Sequence, residues 1–239
     1  MAARFAELDF QATPRGDVSL RRRYDPVLHL EVYEVLLGDE YLMSSAFTTA
    51  EEELSRLCLA RLGDGPLDVV VGGLGLGYTA AAALADARVR TLWVVDAFEP
   101  VISWHQRRLL PMSDVLLDDP RTRLVHADFF AGLGGTASWG PPRETAVDAV
   151  LVDIDHSPRH LLHPEHVVLY GRNGLGAVAE RLRPGGVFGL WSDDPPDDAF
   201  MIVLREVFDN VQAHPVAFDN AYTGGTSSNT VYVASKRAA

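Results

Sequence analysis

A chain of 239 residues has room for one medium-sized domain and a small appendage. Its 47% hydrophobic and 23% charged residues suit a globular protein, and no apolar run approaches the roughly 18 residues that a membrane-spanning helix needs. A net charge of −12 argues against nucleic acid as the main partner, since gripping phosphates takes a basic face. The same acidity suits a cationic substrate such as a polyamine, and equally suits solubility alone. The lone Cys58 excludes an internal disulfide. The opening MAARFAELDFQ lacks the apolar core of a signal peptide, so the cytoplasm is the expected compartment.

Residues 1–27 are mixed in character, with Arg21-Arg22-Arg23 read as a solvated turn or an interface patch. From Leu28 to Ser45 two strands are predicted, joined by a turn at Gly38-Asp39. These residues define a small N-terminal β unit, 1–48, ahead of a main domain, 49–239. Thr48 or Thr49 can cap a helix that carries Glu51, Glu52 and Glu53 in its first turn, where acids suit the positive end of the helix dipole, and that runs to about Leu62. From Asp68 the pattern becomes strand-then-helix. LDVVVGG, RTLWVVDA, TRLVHADFF, VDAVLVDID and GGVFGLWS are continuous apolar runs of the kind covered on both faces. YTAAAALAD, EPVISWHQRRLL and GLGAVAERLRP have helical composition, and DDAFMIVLREVFD follows as one more helix. QAHPVAFDN and SSNTVYVASK close the chain as an antiparallel hairpin. The fold class is α/β: a doubly wound, Rossmann-like seven-stranded sheet, which binds ligands at the carboxyl ends of its strands.

Those strand ends carry the chemistry. In VVVGGLGLGYT, Gly72, Gly73, Gly75 and Gly77 lie between a buried strand and a helix, where glycine permits a tight turn and close ligand approach. Asp96 ends the next strand, about 20 residues on, where an acid can accept from two ribose hydroxyls. Asp128 ends the third strand beside Phe129, a setting for an adenine amino group, and Asp153 ends the fourth at the reacting end of such a ligand. Each acid could instead cap a helix. The alternating glycines and final hairpin set the chain apart from a dinucleotide-binding domain.

With these motifs the chain resembles the class I S-adenosylmethionine-dependent methyltransferase superfamily and, within it, the spermidine synthases, or polyamine aminopropyltransferases. The resemblance runs from about Leu28 to Ala234 and is densest in VVVGGLGLG, VVDAFEPVISWHQRRLLP, DPRTRLVHADFF and VDAVLVDIDHSP. It implies an adenosyl site of Gly72, Gly73, Gly75, Gly77, Asp96, Ala97, Asp128, Phe129 and Asp153, with Asp153 as the active-site carboxylate. It also implies a homodimer. The chain departs from the pattern at Gly75, where the family loop has an aspartate, and at His156, where it has a second acid with Asp155 now adjacent. Thr48, Thr49 and Ala50 replace the aromatic and histidine residues that flank the polyamine.

Asp153, Asp155 and His156 are therefore the candidate catalytic residues. A carboxylate can take the proton of an attacking ammonium, and His156 can serve as base instead. Four histidines (His156, His160, His163 and His166) and two aspartates fall within fourteen residues, but at no recognised metal-ligand spacing, so no metal is expected. Asp193 and Asp194 end the fifth strand and are read first as a cap for the following helix, second as contacts to a cationic acceptor. The expected activity is aminopropyl transfer from decarboxylated S-adenosylmethionine, or use of S-adenosylmethionine itself, toward a small amine or other small acceptor. The alternatives are a small-molecule methyltransferase and a non-catalytic adenosyl-binding protein. No nucleic-acid or membrane partner is expected.

Overall fold

In the computed structural model residues 5–237 are described; the first four residues of the expected N-terminal unit and the last two of the expected main domain lie outside them. The chain opens as a four-stranded antiparallel meander: β1 (Phe5–Thr13), β2 (Gly16–Asp25), β3 (Leu30–Leu37) and β4 (Glu40–Ser44). The hairpin of β3 and β4 is the expected one, turning at Gly38. The hairpin of β1 and β2 corrects the reading of residues 1–27 as mixed. Its apolar alternation is weak because cross-strand ion pairs replace it. Arg21 faces Glu7, Arg22 faces Glu31, and Arg23 meets Glu34 at 2.8 Å, so the three arginines lie within a strand. Only Val18 and Leu20 of β2 reach the core among its apolar residues.

Next comes α1 (Thr49–Leu59), three residues shorter than expected. Thr48 holds the N-cap position, but its hydroxyl bonds Glu52 at 3.2 Å rather than a backbone N–H. The main sheet consists of β5 (Leu67–Gly72), β6 (Val89–Asp96), β7 (Thr122–His126), β8 (Val147–Val152), β9 (Leu182–Ser192), β10 (Asp209–Asn220) and β11 (Gly225–Ser235). Its order is β10-β11-β9-β8-β5-β6-β7; β5 to β9 run parallel and β11 is antiparallel to both its neighbours. The doubly wound seven-stranded sheet and closing hairpin are as the sequence indicates. Between the strands lie α2 (Tyr78–Leu84), α3 (Glu99–Gln106), α4 (Ser113–Asp118), α5 (Phe129–Leu133), α6 (Arg172–Arg181) and α7 (Asp198–Val207). The short α4 and α5 have no counterpart in the periodicity, since five or six residues cannot display it.

Alternation along β5 shows why these strands read as unbroken apolar runs. Val69 and Val71 pack in one core layer with Leu54 and Cys58 of α1, while Val70 packs in the other with Leu175, Val178 and Phe200. All three valines are fully buried. Side-chain contacts hold the N-terminal sheet on this body. Asp9 accepts from Trp104 Nε1 at 2.7 Å, and Asp25 accepts from Tyr222, at the tip of the β10–β11 hairpin, at 2.5 Å. The docking places β4 over the glycine turn. Among the described residues no helix is long and apolar enough to cross a membrane.

Candidate functional site

Strand order reverses between β5 and β8, and the crevice at their carboxyl ends is where an open α/β sheet binds ligands. Two cavities of about 300 Å³ and about 310 Å³ occupy it, meeting at a wall of Leu42, Met43, Gly75, Asp153 and Ile154. The glycine turn forms their floor. Gly73 and Gly75 both have positive φ, at 95° and 47°. A Cβ on Gly73 would collide with the carbonyl oxygen of Asp153, and one on Gly75 would collide with the Met43 thioether. The backbone carbonyl admits only glycine at Gly73, whereas at Gly75 the positive φ favours glycine and a side chain would have to displace the flexible Met43 tip. Gly72 sits beneath, where a Cβ would come within 2.6 Å of the Phe129 ring, and Gly77 caps α2 and faces the second cavity.

The first cavity collects most of the expected adenosyl residues: Gly73, Gly75, Asp96, Ala97, Asp128, Phe129 and Asp153 all line it. Asp96 accepts from Leu74 N at 2.9 Å and Phe98 N at 2.7 Å, tying the glycine turn to β6. Burial pushes its pKa up against these donors. Asp128 caps α5, its Oδ1 accepting from Phe130 N at 2.8 Å and Ala131 N at 3.0 Å. Burial alone would raise its pKa, but these N–H groups and Arg15 hold it low. The cap and the cavity wall are thus one side chain.

Asp153 stands at the junction of the two cavities, accepting from Thr79 Oγ1 at 2.6 Å. Burial pushes its pKa up to about 6, with the Thr79 hydroxyl pulling the other way. His156 lines the second cavity and lies 3.3 Å from Glu40. Asp155 does not come to the cleft. It is 1% exposed and accepts from His166 Nδ1 at 2.7 Å, Leu162 N at 2.8 Å and Tyr170 Oη at 2.9 Å. A direct catalytic role for Asp155 is corrected to anchoring of the segment that follows β8. The histidines disperse likewise. His160 pairs with Asp194 at 2.9 Å, His163 caps the turn at Pro164–Val168, and His166 stacks on Phe130 with ring centres 3.7 Å apart. Among the described residues no three His, Cys, Asp or Glu side chains converge as a metal-ligand set.

Asp193 and Asp194 do not cap α7. That place belongs to Asp197, which accepts from Ala199 N at 2.8 Å and Phe200 N at 3.2 Å. Asp193 instead lines the second cavity, where it accepts from Asn229 at 2.6 Å. Two further residues escaped the sequence reading. His105 is fully buried, and its Nε2–H donates to the Gly75 carbonyl at 2.8 Å; burial lowers its pKa to about 4, so the ring stays neutral and props the turn. Glu51 lines the second cavity rather than facing solvent at a helix start. Its spacing to the buried Leu54, Ser55 and Cys58 marks the inward face of α1, and that periodicity was the available signal. Burial, then the charge of Asp153, pushes the Glu51 pKa up to about 8. Aromatic rings complete the chamber: Tyr41, Phe47, Tyr78, Trp191 and Phe218.

No protein-family model matches the chain. It is 29% identical over 211 residues to polyamine aminopropyltransferase 2 of Pseudomonas aeruginosa, an alignment covering 81% of this chain and 56% of that protein. The chain thus spans little more than half the length of the curated relative it matches. Among solved structures it superposes on a spermidine synthase in complex with the transition-state analogue AdoDATO, with a TM-score of 0.72 at 19% identity, covering 96% of this chain and 73% of the other. The spermidine synthase of Thermotoga maritima gives a TM-score of 0.70 at 18% identity, covering 96% and 72%. The resemblance read from the motifs is borne out in sequence and in fold.

Proposed function

We propose, with kinship to the polyamine aminopropyltransferases as the premise, that the chain transfers an aminopropyl group from decarboxylated S-adenosylmethionine to a small amine. The observation that carries this reading is the pair of cavities meeting at Asp153. One is lined by Asp96 and Asp128; the other is walled by aromatic rings and by Glu51, Asp153 and Asp193. Aromatic faces and carboxylates together suit an alkylammonium. Among the described residues no Lys or Arg lines the second cavity, so a cationic acceptor meets no competing charge from those side chains.

In this reading Asp96 takes the ribose hydroxyls, Asp128 the adenine amino group, and Gly73, Gly75 and Ala97 let the nucleoside lie close to the backbone. The sulfonium lies toward the shared wall. Displacement at its methylene carbon needs chiefly alignment of the nucleophile with the leaving sulfur, which two abutting chambers provide. Among the described residues the shared wall holds one carboxylate and no cation, so the α-carboxylate of intact S-adenosylmethionine would be repelled there. That favours the decarboxylated donor.

The same reading keeps residues 1–48 as a unit that roofs the site and 49–239 as the domain that carries it, in a cytoplasmic homodimer. The exposed Phe5 and Phe10 on strand β1, at the edge of its sheet, support an assembly through the N-terminal unit. The test is mass-spectrometric detection of methylthioadenosine and the aminopropylated amine when the protein is given the decarboxylated donor and a panel of amines.

A further inference from the structure

An amine acceptor enters the second cavity as an ammonium, and an ammonium cannot attack a sulfonium until it loses a proton. Of the three carboxylates that line that cavity, Glu51 and Asp153 differ in their surroundings. Asp153 accepts from Thr79 Oγ1 at 2.6 Å, a bond that favours its charged form. Glu51 projects from the first turn of α1 and, among the described residues, has no hydrogen-bonded side-chain partner, only its own backbone N–H. Met43 fills the space over Gly75, at the wall that the second cavity shares with the first.

The groups facing Glu51 come from every element around it. Asp153 ends β8, Asp193 follows β9, Glu52 adjoins it on α1, and Tyr78 opens α2. His156 and Tyr41 line the same chamber. All the neighbouring carboxylates oppose ionisation of Glu51, and burial opposes it further. Burial and these carboxylates together favour the protonated form of the Glu51 carboxyl, a balance that a bound dication would tip toward ionisation.

We infer that Glu51 is the proton acceptor of the transfer, taking the proton of the acceptor's ammonium while Asp153 holds the cation in line with the sulfonium. The inference rests on the aminopropyl-transfer reading. The ammonium N–H bond breaks and its proton passes to the Glu51 carboxylate. The freed nitrogen lone pair forms the new C–N bond to the donor's methylene carbon as the C–S bond breaks. The bonding pair returns to sulfur, leaving neutral methylthioadenosine and a secondary ammonium, and Glu51 then gives its proton to solvent.

The test compares native protein, Glu51→Gln, Glu51→Asp and Glu53→Gln, each with decarboxylated S-adenosylmethionine and 1,4-diaminobutane. Glu53 pairs with Arg56 on the outer face of α1, so its substitution leaves turnover unchanged. Glu51→Gln should lower kcat about 10²- to 10⁴-fold and remove the limb of kcat/KM that rises with pH. Glu51→Asp should recover part of both, and all variants should bind methylthioadenosine alike. Native protein loaded with methylthioadenosine should release about one proton per diamine bound near pH 7, measured calorimetrically in two buffers of different ionisation enthalpy. A Glu51→Gln protein that keeps the native rising limb and near-native kcat overturns the assignment while the transferase reading stands. So does diamine binding to native protein without proton release, a measurement that needs no variant to fold. Native protein that makes no methylthioadenosine from this donor with any diamine overturns both.

Discussion

Arg15, at the turn between β1 and β2, reaches Asp128 at the end of the third parallel strand with 2.5 Å between guanidinium nitrogen and Oδ2. The contact crosses the mouth of the first cavity, which both residues line. Because Oδ1 is spent on capping α5, Oδ2 is the oxygen left for an adenine amino group, and Arg15 occupies it.

Arg15→Ala should therefore tighten adenosyl binding. The ion pair is 40% exposed on the arginine side and 30% on the aspartate side, and such pairs are worth about 0–1 kcal/mol. Freeing Oδ2 should strengthen methylthioadenosine binding by up to about fivefold in calorimetry. Weaker binding would mean that the arginine covers the nucleoside rather than competing with it.

The fold was legible where periodicity and strand ends carry it: five buried runs, a glycine turn, and an acid or aromatic rim. The β1–β2 hairpin was not, because Glu7, Arg21, Arg22 and Arg23 pair across strands and erase the apolar alternation on which a strand is recognised. Positions at the strand ends came through as well, since Asp96, Asp128 and Asp153 all reach the crevice. Which way a side chain turns did not. Asp153 and Asp155 are two residues apart, yet one faces the cleft and the other is buried among His166, Leu162 and Tyr170. Glu51 was missed for a related reason. An acid in a first helical turn satisfies the dipole argument whether it points out or in, and only the stripe Leu54, Ser55 and Cys58 decides.

Asp96 serves the turn and the proposed ribose at once, so Asp96→Ala would strip acceptors from Leu74 N and Phe98 N as well as from a ligand. Asp96→Asn removes the charge and keeps one acceptor oxygen, leaving one of these two N–H donors facing the new amide, so Tm is measured beside affinity. Losing a charge-assisted contact worth about 1.5–3 kcal/mol should weaken methylthioadenosine binding about tenfold or more. Unchanged affinity in a folded variant would refute the ribose assignment.

Asp155→Asn should behave in the opposite way to Asp153→Asn. At Asp155 the substitution leaves one of three buried donors short of an acceptor, at a cost of about 1–3 kcal/mol and a fall in Tm of roughly 3–10 °C. At Asp153, which holds the acceptor in line, it should lower turnover by about 10²-fold while adenosyl affinity stays close to native. Equal effects of the two substitutions on kcat would contradict the separation seen in the structure.

The raised pKa values of Glu51 and Asp153 also fix a pH dependence of stability. Each is higher in the folded protein than the ordinary carboxylate value, so the protein binds more protons folded than unfolded. Their contribution is complete below the unfolded values, 4.5 for Glu and 3.8 for Asp, and is lost as pH rises through about 6 and about 8. Carboxylates held low, such as Asp25 and Asp128, are ionised in both states over that upper range and add no slope. Native Tm should fall between pH 6 and pH 9, and Glu51→Gln should flatten the decline. A Tm that rises across that range would contradict the buried pair.

Product formation by the unmodified protein tests aminopropyl transfer most directly. Incubated with decarboxylated S-adenosylmethionine and linear diamines, it should yield methylthioadenosine and an amine heavier by one aminopropyl group in equal amounts, detected by mass spectrometry. Intact S-adenosylmethionine should support the reaction at least about tenfold less well, the factor that about 1.4 kcal/mol of repulsion at Asp153 would give. Tight binding of methylthioadenosine with neither product formed from any amine would contradict it, and the two cavities would then belong to a protein that binds an adenosyl ligand without turning it over.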